Sequence, residues 1–421
     1  MFQIDCIQKS FTKNEKLFTF LIAFMPLTNV YSLPGIPLGL GEILLFVFIP
    51  FYIKREMNTS IRDYEQGFML WFAYVVFVTL ALINYFDVPL NKFISTARVA
   101  FYWILIFVFG KNFFNLDYFK KMAKIFCLSL SIFIILQSFV YASIGVYIPG
   151  ILLNIPLHYG DGDGMAVLER SFLLLGYRGF IRPSGFLIEP AHCSQFLFIG
   201  LMLFITDFKL EFKIKCKAIL LITAAMILTY SMTGIIMLLY AWFVFLQIEK
   251  RLSLLKWPIF IIAIMSMFMI MSGLMGVENS SIDRLLNIFT GEYVDMSSNT
   301  RLYNGFEQFQ KLPLIFQFFG TGIGLFNYVS NMLEFVDSQT YMNTFSGNLF
   351  KSGFVGAIIW NFSLLLFFLK SNLLGKTLTF AFFIMSLGCS LFCQPQMVWF
   401  FLLIMADIRN KNDRYSCAKL Q

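Results

Sequence analysis

Apolar runs long enough to cross a bilayer recur along almost the whole chain, at about 17–33, 36–53, 66–84, 93–110, 122–148, 189–206, 217–231, 233–248, 257–275, 345–369, 375–393 and 395–408. The hydrocarbon core takes about 20 residues per helical crossing. Within it, a helix satisfies its own backbone hydrogen bonds. These runs therefore predict an all-α, polytopic integral membrane protein with about 12 transmembrane helices. Only 13% of the residues are charged and 58% are hydrophobic, where soluble domains carry about 25% charge. A β-barrel would show short alternating segments instead. The first run, Leu17 to Leu33, lacks a small-residue cleavage site and reads as a first span rather than a cleaved signal.

The formal charge of +8 is placed as in a membrane protein and gives no reason to expect nucleic acid as a partner. Lys54/Arg55/Arg62, Lys111/Lys120/Lys121/Lys124, Lys209/Lys213/Lys215/Lys217, Lys250/Arg251/Lys256 and Lys370/Lys376 alternate with connections that are poor in Lys and Arg, or long. Both termini are basic. By the charge bias of cytoplasmic loops, both ends of the chain are cytoplasmic. No charge lies between Lys217 and Glu249, yet both flanks are basic, so the chain returns to the same side through a turn near Ser231–Gly234.

The chain reads as a single transmembrane domain over 1–421, with two long outer segments, 149–188 and 276–344, where short loops would suffice. Long connections in compact proteins are functional or disordered, and their Phe, Leu, Tyr and Gly content predicts ordered caps containing short helices. In the second segment, Asn299-Thr300 predicts a helix start ahead of Arg301. Leu302, Phe306 and Phe309 then share a face that packs on the bundle or the lipid. Seven cysteines are scattered without a Cys-x-x-Cys spacing, which argues against a disulfide framework or a zinc site.

Outer-side cations run against the charge bias and invite an anionic ligand. They include Arg182 and Arg301, with Arg98 and Lys351 inside predicted spans. Arg matches phosphate through its planar fork. Arg301 falls in a first helical turn, where the dipole favours an anion, so a bound phosphate would reconcile the two. Arg182 lies ahead of a helix predicted to start at Glu189-Pro190, Pro being tolerated at the first position; the rival role is a structural pair with Glu189. Arg98 is costly in lipid and faces the bundle interior, where it binds substrate or braces the fold. Glu189 and His192 are three apart on one helix face and are the candidates for proton transfer, His192 having the plainer alternative of a helix-start hydrogen-bond partner. Asp161-Gly-Asp163-Gly lacks the remaining calcium ligands. Gly320-Thr-Gly322-Ile-Gly324 lacks the Lys-Ser/Thr of a nucleotide loop and reads as a flexible turn. With two histidines, no metal site or cofactor is expected.

Arg182-x-Ser-Gly-x-x-x-Glu-Pro190 before a span, then Asn299-Thr-Arg301 leading to Gly320-x-Gly-x-Gly324, resembles the O-antigen polymerase and ligase superfamily. The span count and the two long outer segments are similar as well. Ligases of that superfamily carry a His near the start of the span after the second long segment; here Tyr341-Met-Asn-Thr-Phe-Ser346 has none, which favours a polymerase. The resemblance implies a glycosyltransferase of the bacterial inner membrane with its active site facing the periplasm. Its substrate would be an oligosaccharide repeat unit on undecaprenyl diphosphate, used without metal or nucleotide sugar for O-antigen or related lipopolysaccharide synthesis. A polysaccharide chain-length regulator is a candidate partner beside the lipid bilayer. On this reading Arg182, Arg301 and Arg98 face the diphosphate, and Glu189 and His192 are the candidate catalytic residues. The rivals are a ligase of the same fold and a lipid-linked oligosaccharide flippase or other transporter.

Overall fold

The computed structural model describes residues 12–33, 38–53, 61–85, 94–151, 157, 182–249, 303–326, 328–329 and 342–419. Among them the fold is helical, with two isolated bridges, Tyr31–Leu157 and Ser32–Gly39, and no named strand. The helices are α1 (Lys13–Thr28), α2 (Leu40–Ile53), α3 (Asp63–Tyr85), α4 (Ile94–Phe113), α5 (Leu116–Ile144), α6 (Pro190–Ile205), α7 (Phe212–Leu228), α8 (Met232–Glu249), α9 (Gly305–Gln310), α10 (Leu314–Phe319), α11 (Thr344–Lys370), α12 (Leu373–Gly388) and α13 (Pro395–Lys419). Each apolar run predicted from the sequence overlaps one of these helices, except 257–275, which lies outside the described residues.

Five of them, α3, α4, α5, α8 and α11, are long and apolar enough to cross a membrane, which fits a transmembrane protein. Their outward faces carry Phe77, Phe139 and Ile358, each about two-thirds exposed or more. Apolar surface of that extent belongs against hydrocarbon rather than water.

Local chemistry sets several helix ends. Thr12 and Glu15 close a reciprocal capping box at the start of α1. Asn115 and Asn343 accept the amides of Tyr118 and Ser346, 2.8 and 2.7 Å away, at the starts of α5 and α11. Gly145 ends α5 in a left-handed conformation.

The centre is formed by α6 and α13, which are buried from Cys193 to Ile205 and from Met397 to Ile408 and are almost wholly apolar there. Trp399 ties four helices together. Its indole N–H donates to the Ile22 carbonyl at 2.8 Å, and its ring meets Phe119, Phe126 and Phe196 at 5.0–5.9 Å. A second aromatic cluster, Phe68, Trp71, Trp103, Trp360, Phe367 and Phe401, binds α3, α4 and α11 to the other side of α13.

The bundle has two chemically distinct ends. One, the basic end, holds the ion pairs Lys111–Glu65 at 3.1 Å, Lys215–Glu249 at 3.0 Å and Lys124–Asp207. The other is covered by 182–189 and by the segment containing α9 and α10, and is called the capped end below. In that second segment Phe309 packs edge-on against Phe350 and Phe354, and Phe306 lies 5.7 Å from Phe345. The shared face predicted for these two residues therefore packs on the bundle; Leu302 lies outside the described residues.

The glycine run read as a flexible turn is a pinned one. Helix α11 breaks at Gly353 (φ 60, ψ −168), which frees carbonyls that a continuous helix would use. Phe350 O accepts the Thr321 amide at 2.6 Å and its hydroxyl at 2.9 Å, and Lys351 O accepts the Gly322 amide at 3.0 Å. Gly320, Gly322 and Gly324 all have positive φ. A Cβ on Gly322 would also stand 2.9 Å from Thr79 Oγ1 and 3.0 Å from Thr79 Cα. Side chains are thus excluded there by both conformation and space.

Candidate functional site

Arg182 and Glu189 are positioned by a segment folded tightly against α5. Gly185 (φ 62) donates its amide to Gln137 Oε1 at 3.0 Å, and Phe186 stacks on Phe133 at 4.5 Å. The chain then enters α6 with Pro190 in the first position and Glu189 as the N-cap residue, as the sequence predicts. The Glu189 and His192 carboxylate and imidazole stand 4.0 Å apart. That is beyond hydrogen-bond length, and the two attract as an ion pair when the imidazole is protonated.

The arginines are placed less freely than the sequence suggests. Arg182 Nε points to the carbonyl of Thr229 at 3.4 Å. Thr229 ends α7, where the helix dipole favours a cation, so Arg182 braces the α7–α8 turn against α6. That turn is centred on Tyr230 (φ 49), a little ahead of the predicted Ser231–Gly234. Arg98 meets Glu42 Oε1 through Nε at 3.1 Å and Nη2 at 2.8 Å. Tyr102 donates to the same oxygen at 2.6 Å, and the Gly39 amide donates to the other at 2.8 Å. Glu42 is 1% exposed in its side chain and Arg98 26%, so the carboxylate is buried against a guanidinium that stays partly accessible. Arg301 lies outside the described residues.

Two residues were missed by sequence reasoning. Glu42, an acid in the first turn of an apolar helix, had a signal: an ionisable residue inside such a run requires a partner. Lys351 reads in the sequence as a cation inside a span and nothing more. It sits about two turns into α11, next to the break at Gly353, with its ammonium 4.4 Å from the centre of the Phe392 ring. Among the described residues its ammonium makes no ion pair and no hydrogen bond.

These groups converge on the loop between α12 and α13. Thr344 at the start of α11 takes Cys389 O through its amide and hydroxyl at 2.8 and 2.7 Å, and its hydroxyl oxygen accepts the Leu391 amide at 2.6 Å. Phe392 carries Lys351, and Cys393 lies within electrostatic reach of Lys351, Arg98 and Glu42. Glu42 in turn donates its amide to Asn29 Oδ1 at 3.2 Å. A polar strip thus crosses the capped end from Lys351 through Arg98 and Glu42 to Asn29, and onward to His192 and Glu189. Its cationic half suits a phosphate; its other half offers proton acceptors. No metal-binding group of His, Cys, Asp and Glu occurs among the described residues. No protein-family model matches the chain, and no curated protein does either.

Proposed function

We propose that the chain is a membrane glycosyltransferase that polymerises undecaprenyl-diphosphate-linked oligosaccharide repeat units into O-antigen or a related surface polysaccharide. In this reading it spans the bacterial inner membrane about 12 times, with both termini and the basic end cytoplasmic. The segments 149–188 and 276–344 cap the periplasmic side. The observation that carries the reading is Lys351: an ammonium at the capped end, beside an interrupted helix, with an aromatic ring against it and no carboxylate partner among the described residues. Irregular backbone at membrane depth is tolerated where it is buried or lines a cavity, and broken helices commonly flank substrate sites.

The polyprenyl tail stays in the bilayer before and after binding, so recognition concentrates on diphosphate and sugar. Lys351 and the partly accessible Arg98 hold the diphosphate, with Arg301 from the second cap as a third cation. The acceptor hydroxyl oxygen attacks the anomeric carbon of the donor sugar. The bond from that carbon to phosphate breaks, its electron pair leaves on the diphosphate, and the hydroxyl proton passes to Glu189 or His192. Charge grows on the leaving group, where fixed cations lower the barrier most. Arg182 acts at one remove, by holding the α7–α8 turn. Neither metal nor nucleotide sugar enters these steps; a chain-length regulator is a proposed partner.

The purified protein, incubated with lipid-linked repeat units alone, is expected to yield a ladder of lengthened products. Unchanged substrate overturns the polymerase in favour of a ligase, which needs a different acceptor, or of a flippase.

A further inference from the structure

Helices α9 and α10 follow one another in the second outer segment but show the outside different chemistry. The exposed side chains of α9 and the turn after it are Glu307, Gln310 and Lys311. Those of α10 are Leu314, Ile315, Phe318 and Phe319, each between 51% and 69% exposed. Their spacing puts all four on one helix face. Gln317, the one polar residue of α10, folds back and gives its Nε2 to the carbonyls of Gln310 and Leu312, at 3.0 and 2.7 Å.

Two neighbouring helices fix how far α10 lies from the basic end. Phe318 packs edge-on against Phe354 of α11, 6.0 Å away, and Phe354 is sixteen residues from Lys370 at the basic end, about 24 Å along the helix axis. On α3, Thr79 Oγ1 accepts the Ile323 amide at 2.8 Å, and Thr79 is sixteen residues from Asp63, again about 24 Å. Tyr64 meets Phe367 with ring centres 6.0 Å apart, which sets the two starting points level. The hydrocarbon core is about 30 Å thick. Measured along either helix, α10 and the turn after it lie inside its outer edge rather than above it.

The backbone there meets what hydrocarbon requires, that peptide groups find partners within the protein. After α10 the amides of Thr321, Gly322 and Ile323 go to Phe350 O, Lys351 O and Thr79 Oγ1. At the end of α10 the Tyr74 hydroxyl donates to Phe319 O at 3.0 Å. The apolar face is also continuous with Phe354, Ile358 and Phe362, the exposed outward stripe of α11. We infer that α10 is an interfacial helix seated in the leaflet at the capped end, with lipid chains against Leu314, Ile315, Phe318 and Phe319. The boundary with water crosses the segment at Lys311-Leu312-Pro313. Part of the second outer segment is thus a lipid-binding surface and not a cap in water. The inference stands on the transmembrane reading and is independent of the polymerase reading.

Photo-crosslinking on the full chain in dioleoylphosphatidylcholine nanodiscs tests this. The photoreactive residue p-benzoylphenylalanine replaces Leu314, Phe318, Ile358 or Gln310 one at a time, and the adducts formed on irradiation are identified by mass spectrometry. All four positions are exposed, so the replacements leave the core intact, and Leu314 and Phe318 report on the same face separately. Ile358 serves as the reference for the bilayer and Gln310 for the aqueous side. Leu314 and Phe318 are expected to give phospholipid adducts in yields matching Ile358, and Gln310 to give none above the unirradiated sample. Adducts from Leu314 and Phe318 to another stretch of this chain, such as 257–275, overturn the inference by making the face a packing surface. The absence of any adduct at both, while Ile358 labels, places α10 in water and overturns it too. So does an equal lipid yield at Gln310, which removes the boundary. If Ile358 also fails to meet lipid, the transmembrane reading falls and this inference with it. No lipid-linked sugar is present in the assay, so a missing polymer ladder leaves these outcomes untouched.

Discussion

The two ends of the bundle treat buried charge in opposite ways. At the basic end each of Lys111, Lys124 and Lys215 reaches a carboxylate from a distant part of the chain, Glu65, Asp207 or Glu249. At the capped end, among the described residues, Lys351 has an aromatic ring and no carboxylate, Asn29 and Gln396 each keep an unmatched polar atom, and Arg98 is matched by Glu42. The basic end is not perfectly satisfied, since Glu65 Oε1 is also unbonded. Each of these three lysines is nonetheless neutralised by a carboxylate. Desolvated charge is tolerated when paired; leaving it unpaired in one region is a cost that a ligand can offset. The difference separates charges paired within the bundle from polar groups that have no such partner among the described residues.

The comparison can be broken most forcefully at Lys111. Lys111 and Glu65 are 4% and 2% exposed in their side chains, so Lys111→Met strands a buried carboxylate and should lower unfolding stability by about 3–5 kcal/mol. Thermal unfolding in detergent measures this, and turnover per folded molecule should stay at the wild-type level. Lys351→Met should do the opposite. Polymerisation of lipid-linked repeat units should fall by about 10²–10³, the loss typical of removing one group that stabilises transition-state charge, while the unfolding midpoint does not drop. If Lys351→Met unfolds the protein and Lys111→Met kills turnover, the assignment of the two ends is reversed.

The smallest effect is a pH dependence at Asp207, in the connection between α6 and α7. Burial pushes its carboxyl up, but the Lys124 hydrogen bond, the Lys209 amide and the charges of Lys124 and Lys120 outweigh that and hold it below its ordinary value of 3.8. A carboxyl depressed in the folded state contributes stability that is present above the unfolded pKa and is lost as pH falls through the lower folded one. Being partly exposed, the pair is worth about 1 kcal/mol or less. Acid titration of unfolding should show a shallower loss below about pH 4 in Lys124→Met than in the wild type.

The parts of this architecture visible in the sequence are those set by neighbours in the chain. The predicted entry to α6 at Glu189-Pro190, the charge-free hairpin between Lys217 and Glu249 and the face shared by Phe306 and Phe309 all appear among the described helices. The candidate site was less legible. Arg182, Arg98, Glu189 and His192 do gather at one end, but Arg182 answers Thr229, 47 residues away, and Arg98 answers Glu42, 56 residues away. Lys351 gave little sign in sequence because its setting comes from a helix break filled by a loop around thirty positions earlier, and from a ring on the α12–α13 loop.

Composition and periodicity by themselves determined that the chain is helical and apolar enough for a membrane, and where many of its helices begin, because backbone hydrogen bonds, caps and the hydrophobic match to hydrocarbon act over a few residues. Which cation is neutralised and which is left open was decided only by the tertiary structure. Electrostatic pairing acts through space, and the partner of each charge lies on whichever helix the packing of α6 and α13 brings beside it.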